Sequence, residues 1–261
     1  MNRTVRLVVT AFCLLTLPVL FAVGCGGEDI EESALHKPTP VKAVEKIEPK
    51  KGFSHKPSPH DAIAMLKAGN KRFVEGMSEH PHTDSARLIQ AGKENQGDHA
   101  YATVITCSDS RVPVEYIFDA GVMDIFVIRV AGNVCDVDEI GSIEYGLAHV
   151  HTPVLVVLGH TQCGAVTAVT HALHGKGHTL ERNIPPLVDN IEPAVRRAMN
   201  NHPDLHGEEI IRHAIEENVW QGIEDLFMNS PSTRDLVNSG AVKVVGAIYD
   251  VSTGKIDWLP N

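Results

Sequence analysis

Three side chains able to grip a soft metal ion, Cys107, His160 and Cys163, stand at the ends of apolar stretches. Cys107 closes Ala102-Thr103-Val104-Ile105-Thr106 and opens the polar run Ser108-Asp109-Ser110-Arg111-Val112-Pro113. His160 and Cys163 bracket Thr161-Gln162 directly after Val154-Leu155-Val156-Val157-Leu158-Gly159. Thiolate and imidazole are the donors a borderline-soft ion such as zinc prefers, and a catalytic zinc keeps three protein ligands with one position open to water. Cys107, His160 and Cys163 meet that count. Across a strand-to-helix turn His160 and Cys163 can face one point, and the amino terminus of a helix favours the thiolate of Cys163. On spacing alone other readings stay open. A buried thiol behaves as a small hydrophobe, and an oxidising compartment would let Cys107 and Cys163 pair as a disulfide. His160 taken singly is more often a core or surface histidine than a ligand.

Four short apolar runs must carry these residues: 102–105, 125–128, 154–158 and 242–248. Their near-continuous apolarity implies strands buried on both faces, the mark of a parallel sheet with helices on each side. Helices are expected at roughly 138–150, 163–174, 187–200 and 208–228. A further helix starts at Ser58-Pro59-His60-Asp61, with Ala62, Ile63, Leu66 and Phe73 at helical spacing. The expected fold is α/β, a central, mostly parallel sheet flanked by helices with an N-terminal helical arm. Ligands in such folds sit at the carboxyl ends of the strands, where the two thiols and the imidazole fall. Trp220 and Trp258 read as core aromatics.

The amino terminus has a separate job. Arg3 and Arg6 precede an apolar run from Leu7 to Val23, the pattern of a secretory signal. It ends in Ala22-Val23-Gly24-Cys25, which resembles a lipoprotein signal whose cysteine becomes the lipidated first residue. The expected organisation is a signal peptide over 1–24, a Glu-, Lys- and Pro-rich tether over 25–57, and one catalytic domain over 58–261. The protein is then exported and anchored in the cell envelope or periplasm through Cys25. Without residues 1–24 the chain keeps 21 basic and 33 acidic groups, a net charge of −12. That charge argues against a nucleic-acid partner.

Cys107-Ser108-Asp109-Ser110-Arg111, followed 53 residues after Cys107 by His160-Thr161-Gln162-Cys163-Gly164, resembles the β-carbonic anhydrase family. The resemblance extends through Gly69-Asn70-Lys71-Arg72-Phe73-Val74, Ile128-Arg129-Val130-Ala131-Gly132-Asn133, Gly141-Ser142-Ile143-Glu144-Tyr145 and Val245-Gly246-Ala247-Ile248-Tyr249-Asp250. It covers residues 58 to 259. It implies one zinc per subunit on Cys107, His160 and Cys163, an Asp109–Arg111 pair beside the metal, and a homodimer or larger assembly. The activity implied is reversible hydration of CO2 to bicarbonate by attack of zinc-bound hydroxide, the metal lowering the pKa of its water toward about 7 in favourable sites. Two thiolates cancel the formal charge of the ion, so this water is expected to ionise at higher pH than on three neutral histidines. Asp109 can accept a hydrogen bond from the hydroxide or ligate zinc itself, and a bidentate pair with Arg111 holds it off.

The chain departs from the family pattern at Met123, where relatives carry glycine, and adds a thiol at Cys135. A residue other than glycine is disfavoured where φ must be positive. His171, His174 and His178 follow the expected metal-site helix and could relay protons, yet they read more simply as solvated surface residues, as do His80 and His82. Two rival functions remain: hydrolysis of COS or CS2 at the same zinc, and a non-catalytic zinc- or bicarbonate-binding envelope protein.

Overall fold

In a computed structural model, residues 53, 55–177 and 179–260 are described. The expected signal segment, Cys25, His178 and all of the expected tether except residues 53 and 55–57 lie outside them. Every residue of β1 (Ala102–Cys107) and of β3 (Val154–His160) is buried. The order of the sheet explains this. Among the described residues it has five strands, β2-β1-β3-β4-β5, with β2 (Ile125–Val130) at one edge, then β4 (Lys243–Tyr249) and β5 (Ile256–Trp258) on the other side. The first four are parallel, and β5 returns antiparallel to β4. Edge strand β2 is mostly only half-buried, so the expectation of burial on both faces holds for the central strands and fails there.

The described helices are α1 (Pro59–Val74), α2 (Ser85–Ala91), α3 (Val114–Ile117), α4 (Val137–Ala148) and α5 (Gly164–His171). They continue with α6 (Pro185–Asp189), α7 (Glu192–Asn201), α8 (Glu208–Asn229) and α9 (Pro231–Asn238). The single helix expected over 187–200 is thus two. Pro193 lies in the first turn of α7, where its missing N–H costs nothing, whereas inside one continuous helix it would break the ladder. The helix expected over 163–174 ends at His171 and passes into a π turn, Ala172–Lys176, within which Gly175 adopts φ +73°. Caps set two other starts: Ser58 Oγ accepts from the Asp61 N–H, and Asp136 with Glu139 forms a capping box on α4.

Side chains alternate across the central strands and build a core on each face. Val104, Val156 and Leu158 pack with Ala62 and Leu66 of α1 and Ile117 of α3. Ile105, Leu155 and Val157 face Ile143 and Leu147 of α4 and Val219 and Leu226 of α8. Each fully buried Val, Leu or Ile among them contributes roughly 1.5–3 kcal/mol. A third cluster lies beyond the strand ends, where Val166, Val195, Ala198, Ile210 and Ala214 from α5, α7 and α8 enclose Cys107 and Cys163. The motif Gly69-Asn70 serves the arm. A Cβ on Gly69 would stand 1.8 Å from the Phe118 carbonyl oxygen. Asn70 Nδ2 donates to the Ile117 and Gly254 carbonyls, and its Oδ1 accepts from Ile256 N–H. Trp258 is half-buried against the first core and Trp220 against the second. Among the described residues, no helix is long and apolar enough to cross a membrane.

Candidate metal centre and its carboxylate–arginine pair

Because β1 and β3 are neighbours, with Thr106 opposite Leu158, Cys107 and His160 emerge side by side. Cys163 follows at the N-cap of α5. The ligand atoms of Cys107, His160 and Cys163 all lie within 4.8 Å of one another. His160 is fully buried, and its Nδ1 lies 2.9 Å from the Thr161 carbonyl oxygen, which can only accept. Nδ1 therefore carries the proton, and Nε2 presents a lone pair that has no hydrogen-bond partner among the described residues. A buried polar atom left bare in this way is costly unless something absent from the protein satisfies it.

The thiols are free rather than paired, so the disulfide alternative is not realised. Donation from the Cys163 thiol holds the Cys107 thiol far below its usual range, against burial and with help from His160 and the Gly132 and Asp109 amides. The Gly132 N–H reaches Cys107 Sγ at 3.3 Å from a backbone with φ +79°, a geometry that suits glycine. Cys163 is pushed up by the neighbouring Cys107 thiolate and by burial, although the Ala165 and Val166 amides of α5 oppose this. One thiolate thus suppresses the other. A dication between them would remove that repulsion and take both as ligands, so the donor set, its charge and the bare Nε2 fit a zinc ion.

Asp109 and Arg111 lie beside this cluster. Arg111 Nε and Nη2 reach the carboxylate at 3.0 and 2.7 Å, and the Arg111 amide adds a third bond at 2.9 Å. Arg111, with burial opposing, holds the Asp109 carboxyl well below the usual carboxylate range, and Asp109 in turn raises Arg111. Two contributors were not given roles by the sequence. Arg129, at the end of β2, donates to the Cys107 and Asp109 carbonyls, and Gln162 accepts twice from Arg111. A polar residue at a third strand end was the available signal for Arg129.

The remaining residues stand apart from the Cys107–His160–Cys163 cluster. Cys135 is a buried free thiol whose pKa burial pushes up to about 12. His171 is exposed, and His174 Nδ1 meets the Thr170 carbonyl. His82 is exposed at the surface, as expected, and also pairs inward: Asp124, buried beneath it, receives its Nδ1 at 2.8 Å, Arg87 Nη2 at 2.9 Å and the Gly121 amide at 2.8 Å. This knot closes the 121–124 turn, in which Met123 adopts φ +68°. The backbone at Met123, where the resemblance implied a glycine, is therefore left-handed.

A sequence model of the carbonic anhydrase family matches residues 102–256. Carbonic anhydrase 2 of Mycobacterium tuberculosis is 33% identical over 200 residues, covering 76% of this chain and 91% of the relative. The carbonic anhydrase of Mycolicibacterium smegmatis is 34% identical over 203 residues, covering 77% and 93%. Among solved structures, the β-carbonic anhydrase CafA of Aspergillus fumigatus has a TM-score of 0.60 at 26% identity, across 76% of this chain and 90% of that one. Sequence relatives, fold and the clustered cysteines and histidine agree, and the chain belongs to the carbonic anhydrase family as an enzyme of its β class.

Proposed function

We propose that this enzyme hydrates CO2 reversibly to bicarbonate and a proton, using one zinc ion per subunit held by Cys107, His160 and Cys163. The observation that carries the reading is the bare Nε2 of buried His160 facing two buried thiols. When bound, zinc supplies the Lewis acidity that ionises water near neutral pH. The protein supplies the rest. The Thr161 carbonyl fixes the tautomer of His160, and the Gly132 amide steadies the Cys107 sulfur. Val134, Val166 and Ile191, packed with the two cysteines, form an apolar wall that strengthens charge interactions inside it. Asp109, held anionic by Arg111, would accept a hydrogen bond from a hydroxyl group at the reaction centre, while Arg111 keeps the carboxylate from becoming a ligand itself.

The paired test is zinc content together with stopped-flow hydration of CO2, run beside assays with COS and CS2. One zinc per subunit and CO2 turnover are expected. Turnover of COS or CS2 without CO2 hydration overturns the substrate, and zinc without turnover leaves a binding protein.

Assembly and location complete the proposal. Among the described residues, edge strand β2 has no partner on its outer side, and Leu88, Ile89, Val137 and Tyr145 are exposed apolar side chains, which suits a homodimer or larger homo-oligomer. The charged start, apolar run and small residues before Cys25 support export and a lipid anchor in the cell envelope, so the membrane is met through the lipid alone. A formal net charge of −10 over the whole chain speaks against nucleic acid.

A further inference from the structure

Asp109 engages only one side of the Arg111 guanidinium. The other side goes to a residue 51 positions along the chain: Nη1 donates to Gln162 Oε1 and Nη2 to the Gln162 main-chain oxygen, both at 3.1 Å. Gln162 stands between His160 and Cys163 with φ +57°, a left-handed conformation unfavourable for a residue with a side chain. Its turn is pinned from behind. The Thr161 amide donates to the Tyr249 carbonyl at 2.9 Å, and Thr161 Oγ1 accepts from the Val251 amide at 3.1 Å.

We infer that Gln162 is a positioning residue: it clamps Arg111 from the side opposite Asp109 and so fixes the carboxylate in the orientation that keeps it off the metal. This rests on the zinc-dependent CO2 hydration proposed above. The Arg111 side chain is 45% exposed and that of Asp109 20% exposed, and an ion pair open to solvent holds its geometry poorly when nothing else constrains it. With Asp109 as its only partner, the guanidinium would follow the carboxylate wherever it rotated. Gln162 ties the same guanidinium to the rigid turn that bears two of the proposed ligands. The orientation of Asp109 is thereby referred to the metal site rather than to its own loop.

The test uses the full chain loaded with zinc. Gln162→Asn withdraws the amide by one methylene in a residue type that tolerates positive φ, and Gln162→Gly removes the side chain while relieving the backbone. Both should keep zinc and melting temperature, yet lose about tenfold in kcat/KM for CO2, the size expected when one hydrogen bond to a charged group is lost. In an Arg111→Ala background the same changes should cost nothing more, because Gln162 acts through Arg111. A second readout is independent of turnover: with 15N-labelled arginine, the two Nη signals of Arg111 should be separate in the wild type and exchange faster in both variants, which lose the Nη1 bond while Nη2 keeps Asp109 and the main-chain oxygen of residue 162. Wild-type rates in the variants, an equal loss in the Arg111→Ala background, or merged Nη signals in the wild type would each overturn the clamp. If the wild type neither binds zinc nor hydrates CO2, the functional reading falls instead, and the Nη signals alone decide whether the clamp exists.

Discussion

Arg111 meets Asp109 side-on, with Nε 3.0 Å from Oδ1 and Nη2 2.7 Å from Oδ2, although the two residues are only two apart in the chain. Arg111 depresses the Asp109 pKa, so the carboxylate is anionic throughout pH 6 to 9 and contributes no slope to a rate profile there. CO2 hydration is therefore expected to rise with pH through a different group: a zinc ion held by Cys107, His160 and Cys163 would supply an ionisable water, and two thiolate ligands would push that ionisation upward. Asp109→Asn and Arg111→Ala should keep zinc and lose roughly 10- to 1000-fold in turnover, equivalent to about 1.4–4 kcal/mol of transition-state stabilisation. Stopped-flow rates on samples of measured zinc content check this. A flat wild-type profile counts against the charge argument, and near-normal variants reduce the pair to a structural salt bridge.

Cys107→Ser, His160→Ala and Cys163→Ser should each lose zinc or bind it far more weakly. The metal would join the ends of β1 and β3 to the start of α5, so each loss should also lower thermal stability, as should a chelator applied to the wild type. Metal analysis and melting curves on the same preparations decide it. Full zinc content in any one variant removes that residue from the ligand set.

Asp119 has a fully buried side chain, where burial alone would raise its pKa, yet the Glu79 and His80 amides and Arg72 hold it below its ordinary value. A depressed carboxylate stabilises the fold fully above its unfolded pKa, near 4, and ceases to do so as pH falls through the folded value. Asp119→Asn should cost about 2–4 kcal/mol near pH 7, since it leaves Arg72 and two amides without their anion. The gap between wild type and variant should narrow below pH 4. Urea unfolding at pH 7, 5 and 3.5 measures it, and a gap that stays constant across these values would exclude the anion as its source.

At Met123 the left-handed backbone should make Met123→Gly neutral or stabilising by up to about 1 kcal/mol, relief of strain outweighing the entropy of an unfolded glycine. Met123→Val, branched at Cβ, should lose about 1–2 kcal/mol at the same position. Denaturation midpoints in the opposite order would show that contacts of the methionine side chain govern this turn.

Membrane-extracted protein should carry a lipid on Cys25 as its first residue. Intact-mass and amino-terminal peptide mass spectrometry read this directly. An unmodified amino terminus at a different residue defeats the lipoprotein assignment.

The candidate site was legible because its chemistry is local. Cys107 and His160 each end or directly follow an apolar run, Cys163 comes three residues after His160, and continuous burial leaves a one-dimensional trace in sequence. The same trace gave β1, β3 and β4 and the long helix α8. It failed where a boundary depends on one residue, as at Pro193, and at short elements such as α2, α3 and β5, which bury too few side chains to show a period.

Sequence by itself determined the donor types, their attachment to strand ends and the anionic character of the chain. Only the tertiary structure decided that β1 lies against β3, which brings Cys107 beside His160, and that Gln162 reaches back 51 residues to Arg111. It also decided that Asp124 binds His82 and Arg87 beneath the turn holding Met123. The reason is physical. Apolar burial repeats along a helix or strand and so can be read from spacing, whereas a hydrogen bond between distant residues depends on the meeting of two surfaces that exists only once the sheet has formed.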